Sequence, residues 1–374
     1  DWPMVILLLM LPVSLWASPD LPRSFPKLYG VILGVAVFYG IVNFVRSERH
    51  AWMVAAALVL AGPVISAVAL LGTNSRLLTL PQAWAPLSRL VDALPERLRG
   101  GFHPNQVGGV LSLFIPLVTS LLCLGFYKSR AFRARRWVLF GLLALSLLLM
   151  AGTLVLTRSR SAFMGIAVSL VVLAGFRRRW LGLVLVLALA AAALVWRCYA
   201  PQQIAELLLA LGSDPNVAAR FEIWECALYI IRDFPYTGVG LYCLSVTVNA
   251  LYSICSIPAA GMLKPNHAHN IFLQVALDLG IAGLVAYLAV LLGFVAAWTK
   301  VWKAAISAPL RALCVGLLCG MLGYHVFSLT DCVNPGAKPG IVVWVAWGLM
   351  AALANLTRQR PSAQLDLEET EHVA

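Results

Sequence analysis

WVLFGLLALSLLLMAGTLVL, from Trp137 to Leu156, carries no charge and is followed by five polar residues, Thr157-Arg158-Ser159-Arg160-Ser161. A second apolar run, AFMGIAVSLVVLAGF from Ala162 to Phe176, comes next and ends on Arg177, Arg178 and Arg179. A membrane-spanning helix needs about 20 mostly apolar residues, with roughly 17 to 25 the working range, so this stretch reads as two spans joined by a tight polar corner. The rest of the chain agrees. Of its 374 residues 61% are hydrophobic and only 12% charged, with a mean hydropathy of +0.86, whereas soluble domains run at about 45–50% apolar and about 25% charged. A water-soluble enzyme is excluded, and so is disorder, which requires low hydrophobicity. The expected fold is an all-α polytopic integral membrane protein.

Outward from that hairpin the hydropathy marks ten spans, at 2–17, 28–45, 51–71, 105–127, 137–156, 162–176, 180–196, 271–297, 308–330 and 340–356. The 72–103 stretch has room for one or two more, so the expectation is ten to twelve. Pro63 and Pro116 fall inside spans, where proline kinks a helix without ending it. Residues 1–17 read as a span, since no basic segment of the kind that opens a signal peptide precedes them. Four regions follow: N-terminal spans over 1–196, a large polar segment over 197–270, C-terminal spans over 271–356 and a tail over 357–374. Pro361 to Ala374 is polar and acidic and is expected to be without structure.

The net charge of +12 reports orientation before it reports a nucleic-acid partner, because short basic loops stay on the cytoplasmic side. Arg46 and Arg49, the run from Lys128 through Arg136, Arg177 to Arg179, Lys300 with Lys303 and Arg311, and Arg358 with Arg360 fall on alternate connections. Both termini are then cytoplasmic, and the 197–270 segment lies on the opposite face. Eight cysteines are dispersed without zinc-type spacing. Cys123, Cys314 and Cys319 read as packing residues within spans. Cys198, Cys226, Cys243 and Cys255 lie in the external segment, where disulfides are permitted but their pairing is not readable.

Three polar clusters interrupt this apolar chain, and the topology puts all three on one face. The first is the Thr157–Ser161 corner, whose arginines either snorkel to water or clamp an anion through guanidinium forks. The second is Arg220, Glu222, Trp224, Glu225 and Arg232, on a helix-like stretch from Asn216 to Ile231 with Phe221, Trp224, Leu228 and Ile231 as its apolar stripe. Arg220 and Trp224 are one turn apart and present together. Pro235, Gly238 and Gly240 end this helix, and a surface-lying amphipathic helix is the simpler reading of it. The third is Asn266, His267, Ala268, His269 and Asn270, leading into Gln274, Asp278, Gly280 and Gly283. Histidine suits proton transfer near neutral pH. A metal is not expected, because neither Cys nor a carboxylate stands beside the His-Ala-His sequence and zinc wants three or four ligands. Asp278 reads as a group that orients its neighbours. His103, Pro104 and Asn105 open the 105–127 span from the same side, as ordinary helix-start punctuation.

In this order the clusters resemble the O-antigen ligase and O-antigen polymerase superfamily. The resemblance rests on LTRSRSAFMG at Leu156 to Gly165, on RFEIWECALYIIRDFPYTGVG at Arg220 to Gly240, and on HAHNIFLQVALDLGIAG at His267 to Gly283. It implies a membrane glycosyltransferase of the GT-C type in the bacterial inner membrane, with its active site facing the periplasm. The donor would be polysaccharide on undecaprenyl pyrophosphate and the acceptor the lipid A core, with no cofactor and no metal. Carried onto this sequence, the family pattern falls on Ser159, Arg160, Arg220, His269 and Asn270. Arg158 is an addition that leaves open which arginine faces the donor, and Asp278 stands where the family commonly has Glu.

The expected chemistry uses Arg160 and Arg220 to stabilise the departing pyrophosphate and His269 to take the proton of the attacking sugar hydroxyl. Arg158, Ser159, Trp224, His267 and Asn270 would bind substrate. Ligase is the preferred reading, with polymerase and protein O-oligosaccharyltransferase as alternatives within the superfamily. A transporter or flippase for an anionic lipid-linked glycan is the alternative from another class, although such sites lie at the midplane on broken helices in repeated halves.

Overall fold

The computed structural model describes residues 1–72, 103–125, 133–178, 180–181, 187, 215–252, 255, 266–304 and 306–371. Of the described residues 85% are helical, and no strand occurs among them. In chain order the helices are α1 Trp2–Trp16, α2 Leu21–Phe44, α3 Glu48–Gly72, α4 Pro104–Ser120 with a π turn at Leu121–Gly125, α5 Arg133–Thr157, α6 Arg160–Arg177, α7 Pro215–Asp233, α8 Leu244–Leu251, α9 Ile271–Lys303, α10 Ala308–Phe327 and α11 Ile341–Glu371. Among the described residues eight helices are long and apolar enough to cross a membrane, and Trp2–Trp16 is a shorter apolar one. Most of the expected span at 180–196, residues 73–102 and the side chains from Lys128 to Arg136 lie outside the described residues. Pro63 and Pro116 sit inside α3 and α4, which continue through them.

Two expectations are corrected. The last helix runs on to Glu371, where a tail without structure was expected from Pro361 onward; Gln364 to Glu371 is made largely of good helix formers. Cys314 and Cys319 are buried, but Cys123 is exposed, because it lies on the outward side of the π turn that ends α4.

α4 and α10 form the centre. Buried residues make up 78% of the α4 span but only 22% of α5, so α5 is peripheral and presents Leu142, Leu145 and Leu148 outward. Such outward leucines are normal for a helix wall facing lipid. Between α6 and α10 the backbones nearly touch: a Cβ on Gly165 would stand 2.3 Å from the carbonyl oxygen of Gly323. Small residues at such contacts replace the hydrophobic drive that lipid removes.

The bundle has two chemically different ends. At one end Arg177 donates to the carbonyl of Cys123, Phe176 meets Trp302 edge-on at 5.3 Å and Arg311 stands 5.4 Å over the Trp302 ring. At the other, the α5–α6 corner, the entries to α4 and α9 and the α10–α11 connection converge, with α7 across them.

α9 is broken at Gly280, which adopts φ 68° and ψ −176°. The break is filled by the segment after α7: Val239 N–H donates to the carbonyl of Leu277 at 2.7 Å and Ile281 N–H to that of Pro235 at 2.7 Å. Non-helical backbone at membrane depth is tolerated where protein satisfies it, and this break is packed with protein.

Candidate active site

The centre of the site is Asp331, in the α10–α11 connection, with 5% of its side chain exposed. Oδ1 lies 3.3 Å from His269 Nδ1 and accepts from the N–H of Cys332 at 2.8 Å. Oδ2 accepts from the carboxamide of Asn105 at 2.6 Å and pairs with the Arg220 guanidinium at 3.7 Å. One carboxylate thus gathers groups from the entry to α4, from α7 and from the entry to α9.

Burial pushes the Asp331 carboxyl up, but the hydrogen bond from His269, with that from the Cys332 N–H, outweighs it and holds it below its ordinary value. It is ionised at neutral pH and can only accept. His269 therefore bears a proton on Nδ1, so that Nε2 is the accepting nitrogen whenever the ring is neutral. His267 is pushed down to about 4 by burial and then by His269, so it is neutral. Its Nδ1 accepts from the His269 N–H at 3.2 Å, and the two imidazole centroids are 4.0 Å apart.

The sequence folds this way because each histidine neighbour is tied down. Asn270 caps α9 by accepting from Phe272 N–H at 2.9 Å and Leu273 N–H at 3.2 Å, and its amide donates to the carbonyl of Leu329. The backbone of Ala268 receives the indole N–H of Trp224 at 2.9 Å and donates to Gln274 Oε1 at 2.7 Å. Gln274 in turn donates to Asp278 at 2.7 Å. Asp278 also accepts from Asn334 at 2.8 Å and Tyr242 N–H at 2.9 Å, so it orients neighbours as expected.

At the α5–α6 corner Arg158 takes a left-handed conformation with φ 50° and Ser159 is the residue before α6. Arg158 and Arg160 are exposed, while Ser159 lies buried against Gly108 and its hydroxyl has no hydrogen-bond partner among the described residues. Thr330 donates to Ser161 or accepts from it at 2.8 Å, which fastens this corner beside Asp331. The three non-glycine residues of positive φ among the described ones are Arg158, Tyr242 and His269. Each costs about 1–3 kcal/mol, and such strain gathers at functional sites.

Asp331 was missed in the sequence, and with it the role of Asn105. The absence of a carboxylate beside the His-Ala-His sequence is also corrected: His267, His269 and Asp331 offer ligand atoms within 4.8 Å of one another. The stripe expected on α7 is corrected too. Ala219, Ile223, Cys226, Ala227 and Ile230 are buried, whereas Phe221 and Leu228 are 62% and 57% exposed. Arg220 and Trp224 nonetheless both reach the site, as their one-turn spacing implied. Cys226, Cys243 and Cys255 are free thiols, with Cys226 and Cys255 packed in one cluster; Cys198 lies outside the described residues.

Residues 145–288 match the family model described as O-Antigen ligase. An O-antigen ligase of Pseudomonas aeruginosa is 28% identical over 355 residues, covering 92% of this chain and 75% of that protein. In this stretch and along most of its length the chain is similar to the O-antigen ligase superfamily. It is a multi-pass membrane protein and a glycosyltransferase-type enzyme. The O-antigen ligase family it resembles implies a lipid-linked polysaccharide donor and a lipid acceptor. The stretch matched to the O-antigen ligase family takes in Arg158 to Arg160, Arg220, His267 and His269 but stops short of Asp331.

Proposed function

We propose that this protein is an O-antigen ligase that moves polysaccharide from undecaprenyl pyrophosphate to the lipid A core at the periplasmic face of the inner membrane. The observation that carries this reading is the His269–Asp331 pair at 3.3 Å with Arg220 on the same carboxylate. It sets a proton acceptor beside a cation.

In the proposed reaction the acceptor hydroxyl gives its proton to Nε2 of His269 as its oxygen bonds to the anomeric carbon. Asp331 stabilises the imidazolium that forms and keeps the ring oriented. On the far side of that carbon the bond to the pyrophosphate oxygen breaks, and the electron pair leaves with the phosphate. Arg220 and Arg160 take up that charge, with Arg158 beside them; fixed cations in a poorly screened site stabilise a transition state strongly. A single displacement inverts the anomeric configuration. Trp224 and Asn270 hold the His267–His269 backbone, and Ser159 brings an unsatisfied hydroxyl to the corner.

The His267, His269 and Asp331 triplet has ligand types that a transition metal accepts. Asp331 already accepts from Asn105 and faces the Arg220 guanidinium, however, and a dication there would stand against that cation. The proposed reaction is metal-independent.

The test is transfer in lipid nanodiscs with purified donor and lipid A core, with and without excess EDTA. Product on the core, made equally with chelator, is expected. Growth of the chain on a second lipid-linked unit would identify a polymerase, and activity lost to EDTA and restored by one divalent ion would assign the triplet to a metal.

A further inference from the structure

Two cationic groups flank the histidines, and the proposed reaction uses only one of them. Arg220 reaches His269 through Asp331. On the other side of His267 stands the Tyr242 ring, its centroid 6.4 Å away and tilted by 30°. The ammonium of Lys27 lies 4.4 Å from the centroid of that ring. Lys27, Tyr242, His267 and His269 thus form a row, with the proton acceptor at one end and a lysine at the other.

No ion pair reaches Lys27 among the described residues. The field of buried Asp278 acts on it, and Lys338, exposed at the start of the 3-10 turn before α11, adds positive field. Asp278 is already occupied by three hydrogen bonds, from Tyr242, Gln274 and Asn334. One turn before Lys27, Arg23 donates to the Ser245 hydroxyl and pairs with Asp20 at 3.6 Å. This end of the site is built from α1–α2, α8 and the α10–α11 connection, none of which supplies the donor-side arginines. A half-buried lysine held over an aromatic face with no direct ion pair among the described residues is an expensive arrangement unless an anion completes it.

The direction of the row decides which substrate brings that anion. In an in-line displacement the nucleophile and leaving group lie on opposite sides of the reacting carbon, and the base sits with the nucleophile. A cation reached through His267, away from Arg220, is therefore on the acceptor's side of His269. The rings of Tyr242 and His267 between them offer flat faces for sugar. We infer that Lys27, supported by Lys338 and Arg23, is an acceptor subsite for a phosphate group carried on the acceptor glycan, a few sugar rings from the hydroxyl that attacks. Lysine binds phosphate as a point charge, and its selectivity is for charge more than for a particular sugar. This inference rests on the ligase reading above for the identity of the acceptor.

The experiment is direct binding of lipid A core, intact and after phosphatase treatment, to the full-length protein in nanodiscs without donor. Wild type should hold the intact acceptor about tenfold more tightly than the dephosphorylated one, in keeping with one charge-assisted contact. Lys27→Gln should abolish that preference, with the whole loss on the intact acceptor, and Lys27→Arg should restore most of it. Lys338→Gln, at an exposed position, should reduce the preference by a smaller factor and serves as the readout should Lys27→Gln fail to fold. Equal binding of both acceptors by wild type, or a preference untouched in both variants, would overturn the subsite. Transfer is measured separately: a phosphate preference without transfer to the core would count against the ligase reading and leave the subsite standing.

Discussion

The imidazole of His269 and the carboxylate of Asp331 meet at 3.3 Å although 62 residues separate them. The whole of α9 and α10 lies between them. Helix α9 descends from the site and α10 climbs back, so the antiparallel pair returns the chain to its start. The backbone seals the join, with Ile271 N–H donating to the carbonyl of Ser328 at 2.9 Å.

Replacing Asp331 by Asn keeps the shape and removes the charge. His269 then loses the acceptor-only carboxylate that fixes its tautomer, because a carboxamide can also donate, and Arg220 loses its counter-ion. Turnover in the single-turnover transfer assay should fall by about 10²-fold or more. Thermal unfolding in detergent should show the variant still folded.

Arg220 and Arg160 should separate from His269 by what they change. Alanine at either arginine removes charge-assisted contacts of roughly 1.5–3 kcal/mol, which is about 10- to 150-fold in donor affinity. Lysine should rescue only partly, because it lacks the bidentate fork. Donor binding is read directly with fluorescent lipid pyrophosphate. Unchanged affinity and rate in both alanine variants would assign these arginines to snorkelling.

Stability should depend on pH through His267. In the folded protein it is held at about 4 against an ordinary 6.5, so between those values the unfolded chain binds more protons. Stability must then fall as pH is lowered from above 6.5 towards 4. Asp331, held below its ordinary value, contributes stability that is present above its unfolded pKa and lost only as pH falls through its lower folded one. Melting temperature should drop between pH 7 and pH 5 in wild type, and His267→Gln should flatten that slope.

Gly280 should resist substitution. Its φ of 68° is one that L residues rarely adopt, and a Cβ there would stand 2.6 Å from the carbonyl oxygen of Tyr236. Strain alone costs about 1–3 kcal/mol, and the clash adds to it by pushing the 235–239 segment out of the α9 break. Gly280→Ala should lower the melting temperature by several degrees, whereas Gly293→Ala, with open space around it, should not.

Hydropathy alone located the eight spans seen among the described residues, since a helix that crosses lipid must be apolar along its length, and it also placed the corner at Arg158 to Arg160 and the entry at His267 to Asn270 on one side. Asp331 was hidden because its partners lie on other helices and because Thr330 to Asn334 carries none of the spacing that marks a motif. One signal was there: a lone carboxylate at the end of an apolar span, on the side where the histidines lie, is costly unless paired. The α7 stripe was misread for a different reason. Apolar residues occupy both candidate faces of that helix, so a 3.6-residue period is met by Phe221, Trp224, Leu228 and Ile231 as well as by Ile223, Ala227 and Ile230, and only packing chooses between them.

The central claim is that His269 takes the acceptor's proton while the arginines hold the donor. It is tested most directly by donor affinity and single-turnover rate measured side by side on wild type and His269→Ala in nanodiscs. The account predicts unchanged donor affinity and a rate lowered by about 10² to 10⁴, while a His269→Ala protein that transfers at the wild-type rate would contradict it.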